Sequence, residues 1–286
     1  MTSSRRQFLA LVAASAAWPR SSARGAEGVR RYVRFERGGQ TAYGLLEGET
    51  VRPLGGDLFA SPEPQGEALA LDDVKLLYPC EPTKILAMAG NYRDHLAPDA
   101  EVPANPEIFY KPVSSLLSPG EPIVLPPGAR DVHYEAEFVV VMGKKAKDVS
   151  VEEAEACIFG YTCGNDISER NWQNGSLDGP ENKDLQWWRA KGSETFSPLG
   201  PAIAVGLDWE EAAIELRLND EVRQKANLSS LIHKPAETIS FVSRYVTLLP
   251  GDVLYTGTSG RTSRISSGDT VEVEVEGIGT LRNPVA

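Results

Sequence analysis

The sequence predicts an α+β fold that is mainly β, and three observations carry the prediction. Short apolar runs of strand length recur along the chain, only two segments show helical cues, and strands and helices do not alternate regularly as they would around a parallel sheet. The 286 residues, 41% hydrophobic and 24% charged, with 26 Gly and 20 Pro, suffice for one large core or two modest ones. Formal net charge is -11; since residues 1–26 hold four arginines and no acid, the other 260 residues carry 25 basic and 40 acidic groups. Such a surface repels a phosphate backbone, which excludes nucleic acid as a partner.

The first 26 residues read as an address. Ser4-Arg5-Arg6-Gln7-Phe8-Leu9 opens an apolar stretch that runs to Trp18, followed by small residues around Ser21-Ser22-Ala23 and Ala26. The segment resembles a twin-arginine export signal, cleaved after Ala23 or Ala26, and predicts a folded protein delivered to the periplasm with no membrane contact after cleavage. Cys80, Cys157 and Cys163 are too few and too irregular for a disulfide framework and read as small buried side chains.

Residues 30–54 alternate apolar and polar positions (Tyr32, Val33 and Phe35, then Tyr43, Leu45 and Leu46) around Gly38-Gly39 and Gly48, the pattern of short hairpin strands. Residues 55–82 are rich in proline, glycine and acids, as in a connector. The chain therefore divides near residue 78 into a small N-terminal β domain with its linker (27–78) and a larger domain (79–286). Strand-like runs then recur at 84–89, 123–125, 134–142, 158–163, 201–205, 214–218, 252–255 and 271–275. Ser150 with Glu152 and Glu153 starts a short helix through Cys157, and residues 236–248 place Ile239, Val242, Tyr245 and Val246 at helical spacing before Pro250-Gly251.

In Tyr134-Glu135-Ala136-Glu137-Phe138-Val139-Val140-Val141, a period of two puts Glu135 and Glu137 on one face of a strand whose continuation is apolar. Two carboxylates side by side out of water repel strongly unless a cation lies between them or one is protonated. An exposed acidic strand face is the plainer alternative. Asp166, in Gly164-Asn165-Asp166-Ile167, adds a third carboxylate where an apolar strand ends. Oxygen ligands without cysteine suit a hard ion, Mg²⁺ or Mn²⁺, with Ca²⁺ in the same class, and three of them leave about three of six octahedral positions for water or a chelating substrate. Arg170, Gln173 and Lys191 follow, then Thr256-Gly257-Thr258-Ser259-Gly260. Backbone N–H groups around Thr258, Ser259 and Gly260 suit a substrate carboxylate, and a tight turn explains that loop equally well.

Taken together these segments resemble the fumarylacetoacetate hydrolase family over nearly all of the chain after residue 26. They are Gly90-Asn91-Tyr92-Arg93-Asp94-His95, Ile108-Phe109-Tyr110-Lys111-Pro112, Tyr134-Glu135-Ala136-Glu137, Asn165-Asp166-Ile167-Ser168-Glu169-Arg170, Ser197-Pro198-Leu199-Gly200-Pro201, and Pro250-Gly251-Asp252 leading to Thr256-Gly257-Thr258. The resemblance implies a mixed β-sandwich or roll behind the small β domain, a homodimer, and Mg²⁺ or Mn²⁺ held by Glu135, Glu137 and Asp166. It further implies catalytic roles for His95, on a mobile lid, and Lys191, and substrate contacts from Arg170 and Gln173.

Two positions depart from the family pattern. Relatives carry a glutamate three residues after the histidine to activate water; here the residue is Pro98, which has no carboxylate, leaving Asp99 or Glu101 to substitute. His133 stands where relatives often have aspartate, and reads as a rim or supporting histidine. The implied activity is hydrolysis of a C–C bond in a 2,4-dioxo acid through an enolate. The alternatives are isomerisation or decarboxylation of hydroxymuconate- or oxaloacetate-like 2-oxo acids, and a non-catalytic periplasmic protein that binds such acids. No GxSxG supports serine-hydrolase chemistry.

Overall fold

The computed structural model describes residues 28–286, and the export signal expected at 1–26 lies outside them. The fold is mainly β, as expected. Its largest sheet has 13 strands, whose spatial order includes Thr50–Gly55, Gln40–Glu47, Arg30–Arg37, Ser197–Val205, Ile158–Asn165, Ala136–Met142, Val253–Tyr255, Ile85–Ala89 and Glu107–Lys111. The hairpin at the start turns on Gly38-Gly39, both at positive φ, where glycine is unstrained. Its first strand pairs antiparallel with the strand Ser197–Val205 (Arg30 with Val205, Tyr32 with Ile203), so the early strands extend the same sheet.

Ala136–Met142 is buried on both faces throughout, which is why it reads as a continuous apolar run. Phe138, Val140 and Met142 enter one core together with Ile214, Leu216, Val271, Val273 and Leu281 of a second, antiparallel sheet. That sheet comprises Glu221–Asn227, Ala213–Leu218, Thr270–Val275 and Gly279–Pro284. Val139 and Val141 face the other way, into a cluster with Ile85, Leu199, Ile203 and Tyr255. Each such valine contributes about 1.5–3 kcal/mol by leaving water, which fixes the strand's register and hence where its acids point.

Ser150 caps the helix Val151–Glu155 reciprocally: its hydroxyl accepts from the Glu153 amide (3.2 Å) and its own amide donates to the Glu153 carboxylate (2.8 Å). The later helix is confined to Pro235–Ser243, shorter than its periodic window. Residues 123–125 form one bridge, Ile123 to Val285, rather than a strand. The strands Glu107–Lys111, Glu221–Asn227 and Gly279–Pro284 and the helix Arg170–Asn174 gave no strong cue, being short and mixed in polarity. The three cysteines are free and buried. No helix of the described residues is long and apolar enough to cross a membrane.

Candidate metal centre and active site

Antiparallel pairing of the strands Ala136–Met142 and Ile158–Asn165 sets Ala136 opposite Asn165, so the residues just outside that pair, Glu135 and Asp166, become neighbours. The Asp166 amide donates to the Glu135 carbonyl (2.9 Å), and the Glu135 amide donates to the Asn165 side chain (2.9 Å). Glu137 lies two residues on, on the same face. Ligand oxygens of Glu135, Glu137 and Asp166 fall within 4.8 Å of one another, and all three side chains are buried.

Three cations surround them. The Lys191 ammonium donates to Glu135 (2.7 Å), Asp166 (2.5 Å) and the Ser168 hydroxyl (2.7 Å). Arg170 donates to the other Glu135 oxygen, to the Thr262 hydroxyl (3.0 Å) and to the Gln173 carbonyl (2.6 Å). Lys111, with no exposed side chain, donates to Asp166 and to the carbonyls of Lys191 (2.5 Å) and Phe196 (3.0 Å). Burial would push the Glu135 carboxyl up, but Arg170 and Lys191 hold it well below the usual carboxylate range. Burial likewise opposes the charge on Lys191, and Asp166 and Glu135 outweigh it, keeping the ammonium above its ordinary value. At Lys111 burial wins over the attraction of Asp166 and lowers the pKa.

Glu137 is the member without a cation. Burial, then the charges of Asp166 and Glu135, push its carboxyl well above the ordinary range. One of its oxygens accepts from the Gly257 amide (2.6 Å); the other, Oε1, is buried with no partner. A buried carboxyl oxygen with no partner, beside two further carboxylates, is the feature a hard divalent cation satisfies. Gly257 makes that amide available: its φ is +91°, and a Cβ there would lie 2.9 Å from Asn91.

The glycine-rich loop serves the site chiefly through other atoms than its expected N–H groups. The Thr258 hydroxyl (2.9 Å) and the Ser259 carbonyl (2.5 Å) both accept from Gln224, and the Gly260 carbonyl lies 2.6 Å from Nδ1 of His95. A carbonyl only accepts, so Nδ1 carries a proton, and the nitrogen left to exchange one is Nε2, 3.9 Å from Glu135. Asp99 and Glu101 are exposed, as is Pro98, whose carbonyl takes a 2.5 Å hydrogen bond from Arg93. His133 stays outside the acid cluster, between Asp131 (3.0 Å) and Thr262 (2.9 Å), and His233 is tied to the Pro103 carbonyl (2.9 Å).

His95, Glu135, Arg170, Gln173, Lys191 and Thr258 line one small cavity, together with Met88, Phe109 and Trp187. Sequence reasoning brought most of these together. It assigned no role to Lys111 or Gln224; the signal for Lys111 was a lysine beside a proline at the end of a mixed apolar run, and Gln224 is the one buried residue of its strand.

Residues 84–286 match the family model described as fumarylacetoacetate (FAA) hydrolase C-terminal. The chain belongs to the fumarylacetoacetate hydrolase family. Residues 30–79 also match a model described as Rv2993c-like, N-terminal. Protein Rv2993c of Mycobacterium tuberculosis is 40% identical over 255 residues, covering 85% of this chain and 93% of that protein. Oxaloacetate tautomerase Fahd2a, a mitochondrial protein of Rattus norvegicus, is 36% identical over 217 residues, 71% of this chain and 66% of its own length. Among solved structures, 5-carboxymethyl-2-hydroxymuconate delta-isomerase from Mycobacterium smegmatis superposes with a TM-score of 0.82 at 39% identity, over 90% of this chain and 99% of that one. Maleylpyruvate hydrolase from Sphingobium sp. SYK-6, in complex with manganese(II) and pyruvate, has a TM-score of 0.73 at 26% identity, covering 90% and 98%.

Proposed function

We propose that this chain is a divalent-metal-dependent enzyme that interconverts the keto and enol forms of a short 2-oxo dicarboxylic acid of the oxaloacetate type. One observation carries the choice over C–C hydrolysis: His95 has its Nδ1 held by the Gly260 carbonyl, and among the described residues neither Asp99 nor Glu101, both exposed, hydrogen-bonds to it. Making a water nucleophilic calls for a polarised base, whereas moving a proton between carbon and oxygen of one substrate calls only for a base that can return what it takes. The relatives at 36% and 39% identity named above carry names of that second kind of reaction, which supports the reading.

Glu135, Glu137 and Asp166 are the residues that would hold Mg²⁺ or Mn²⁺. When bound, that cation supplies Lewis acidity at the 2-oxo group, easing the charge that develops as the neighbouring carbon loses its proton. In this reading Nε2 of His95 takes that proton and returns it to oxygen, giving the enol without net gain or loss of atoms. Arg170, oriented by Gln173 and Thr262, receives a substrate carboxylate. Lys191, with all three N–H groups engaged, holds the acids in place and keeps the pocket cationic. With the divalent cation bound and Glu137 ionised, the three carboxylates are matched by Lys111, Lys191 and Arg170, and the two charges of the cation remain for a dianionic substrate to neutralise.

Hydrolysis of an acylpyruvate is the second reading, favoured by the fold shared with the manganese- and pyruvate-bound maleylpyruvate hydrolase. Export to the periplasm and a homodimeric state belong to the proposal too, testable by cell fractionation and by sedimentation. The deciding experiment is a panel of oxaloacetate, hydroxymuconates and acylpyruvates with Mn²⁺ and with chelator. Metal-dependent relaxation of enol-oxaloacetate, lost in H95N, supports the reading. Release of pyruvate from acylpyruvates with no tautomerase activity overturns it in favour of hydrolysis. Binding of oxalate without any turnover leaves a binding protein.

A further inference from the structure

The adjacent tryptophans 187 and 188 have opposite fates: Trp188 is 68% exposed, whereas Trp187 lines the active-site cavity. The chain reaches this arrangement through a left-handed backbone at Trp187, φ +57°, which a bulky residue rarely adopts and which persists only where the surroundings impose it. They do so here. The Trp187 amide donates to the Asp184 carbonyl (3.2 Å), and the Lys191 amide donates to the Trp187 carbonyl (2.8 Å). Buried Asp184 accepts from the amides of Arg189 (2.7 Å) and Ala190 (3.2 Å) through one carboxylate oxygen, closing the loop on itself. The indole meets the ring of Phe109 edge-on, centroids 5.3 Å apart at 75°.

The cavity these rings border holds about 60 Å³. Taking about 10–15 Å³ for each water-sized sphere, that is room for a short acid, far below the roughly 300–1,000 Å³ of pockets for larger ligands. Its lining includes the charged side chains of Glu135, Lys191 and Arg170 and the apolar ones of Trp187, Phe109 and Met88.

We infer that Trp187 is the specificity-determining residue of this site, a gauge that limits the carbon-chain length of the 2-oxo acid it accepts. This rests on the oxo-acid reading above but concerns how long the ligand is, not which reaction it undergoes. Holding the gauge on the same loop that delivers Lys191 ties length selection to the assembled acid cluster.

The test compares wild type, W187G and W187F. Glycine suits the positive φ, so W187G removes the ring without a backbone penalty, and W187F retains a smaller one. Two readouts are taken on Mn²⁺-loaded protein: kcat/KM for oxaloacetate against a dicarboxylic 2-oxo acid two methylenes longer, and calorimetric affinity for the same pair. Wild type is expected to favour the short acid by about 10–200-fold per readout, the scale of one or two misfitting methylenes. W187G should narrow that ratio at least about tenfold by gaining on the long acid, with W187F between. An unchanged ratio in folded W187G with wild-type Mn²⁺ affinity overturns the inference. If W187G fails to fold, an unchanged ratio in W187F does so. Should wild type turn over neither acid, the reaction proposed above fails, while the calorimetric ratio still decides the role of Trp187.

Discussion

The Gly257 amide donates to one carboxylate oxygen of Glu137 at 2.6 Å and leaves the other, Oε1, buried without a partner. Removing the charge should therefore hurt metal binding and not the apo fold. E137Q is expected to weaken Mn²⁺ by more than about 100-fold, beyond the 10–100-fold typical of residues that only support a metal ligand. Its metal-free melting temperature should equal or exceed that of wild type, because glutamine, unlike Glu137, needs no bound proton to avoid a third charge beside Glu135 and Asp166. Calorimetry and thermal melts check the two halves separately.

The raised pKa of Glu137 also sets a pH dependence. The folded state holds this proton more tightly than the unfolded chain does. The contribution of Glu137 to apo stability is thus fully present below the ordinary carboxylate value and is lost as pH climbs from there through the raised value. Metal competes with the same proton. The Mn²⁺-induced rise in melting temperature should grow between about pH 5 and about pH 8, with proton release visible when calorimetry is repeated in buffers of different ionisation enthalpy. A Mn²⁺ effect that shrinks over that range contradicts the assignment.

Lys111 reaches Asp166 from 55 residues away and has no solvent to fall back on. K111M keeps the side chain's bulk but strands part of the Asp166 charge and two carbonyls. Breaking a buried pair by removing one partner costs about 3–5 kcal/mol, so denaturant melts should show a large loss, partly recovered by saturating Mn²⁺.

Arg93 closes the turn after His95 by donating to the carbonyls of Ala97 (3.1 Å), Pro98 (2.5 Å) and Ala100 (2.7 Å). R93A should loosen that turn: faster proteolysis between residues 96 and 107 and a fall in kcat/KM of about tenfold, the worth of one charge-assisted hydrogen bond net of solvent. Mn²⁺ affinity should not change, since Arg93 touches none of the three acids.

Much of the acid cluster was legible in the sequence because strand periodicity is local: alternation alone puts Glu135 and Glu137 together, and Asp166 closes the next strand. Arg170 and Lys191 were readable through the resemblance. Lys111, Gln224 and Arg93 were not. Each acts through backbone carbonyls, hydroxyls or acids brought near by pairing between distant strands or by one turn's geometry, and neither leaves a periodic trace. The glycine loop shows the same limit, since its composition indicates a turn but does not say which of its atoms face the pocket.

The antiparallel pairing of Arg30–Arg37 with Ser197–Val205 has a practical corollary. Phe196, which anchors Lys111, immediately precedes that second strand. A protein trimmed of residues 28–79 would bare the Ile203–Val205 end of that strand together with the apolar residues the early strands cover, inviting self-association. The early hairpin is thus part of the catalytic scaffold's weatherproofing, and shortened versions should be judged first by whether they stay in solution.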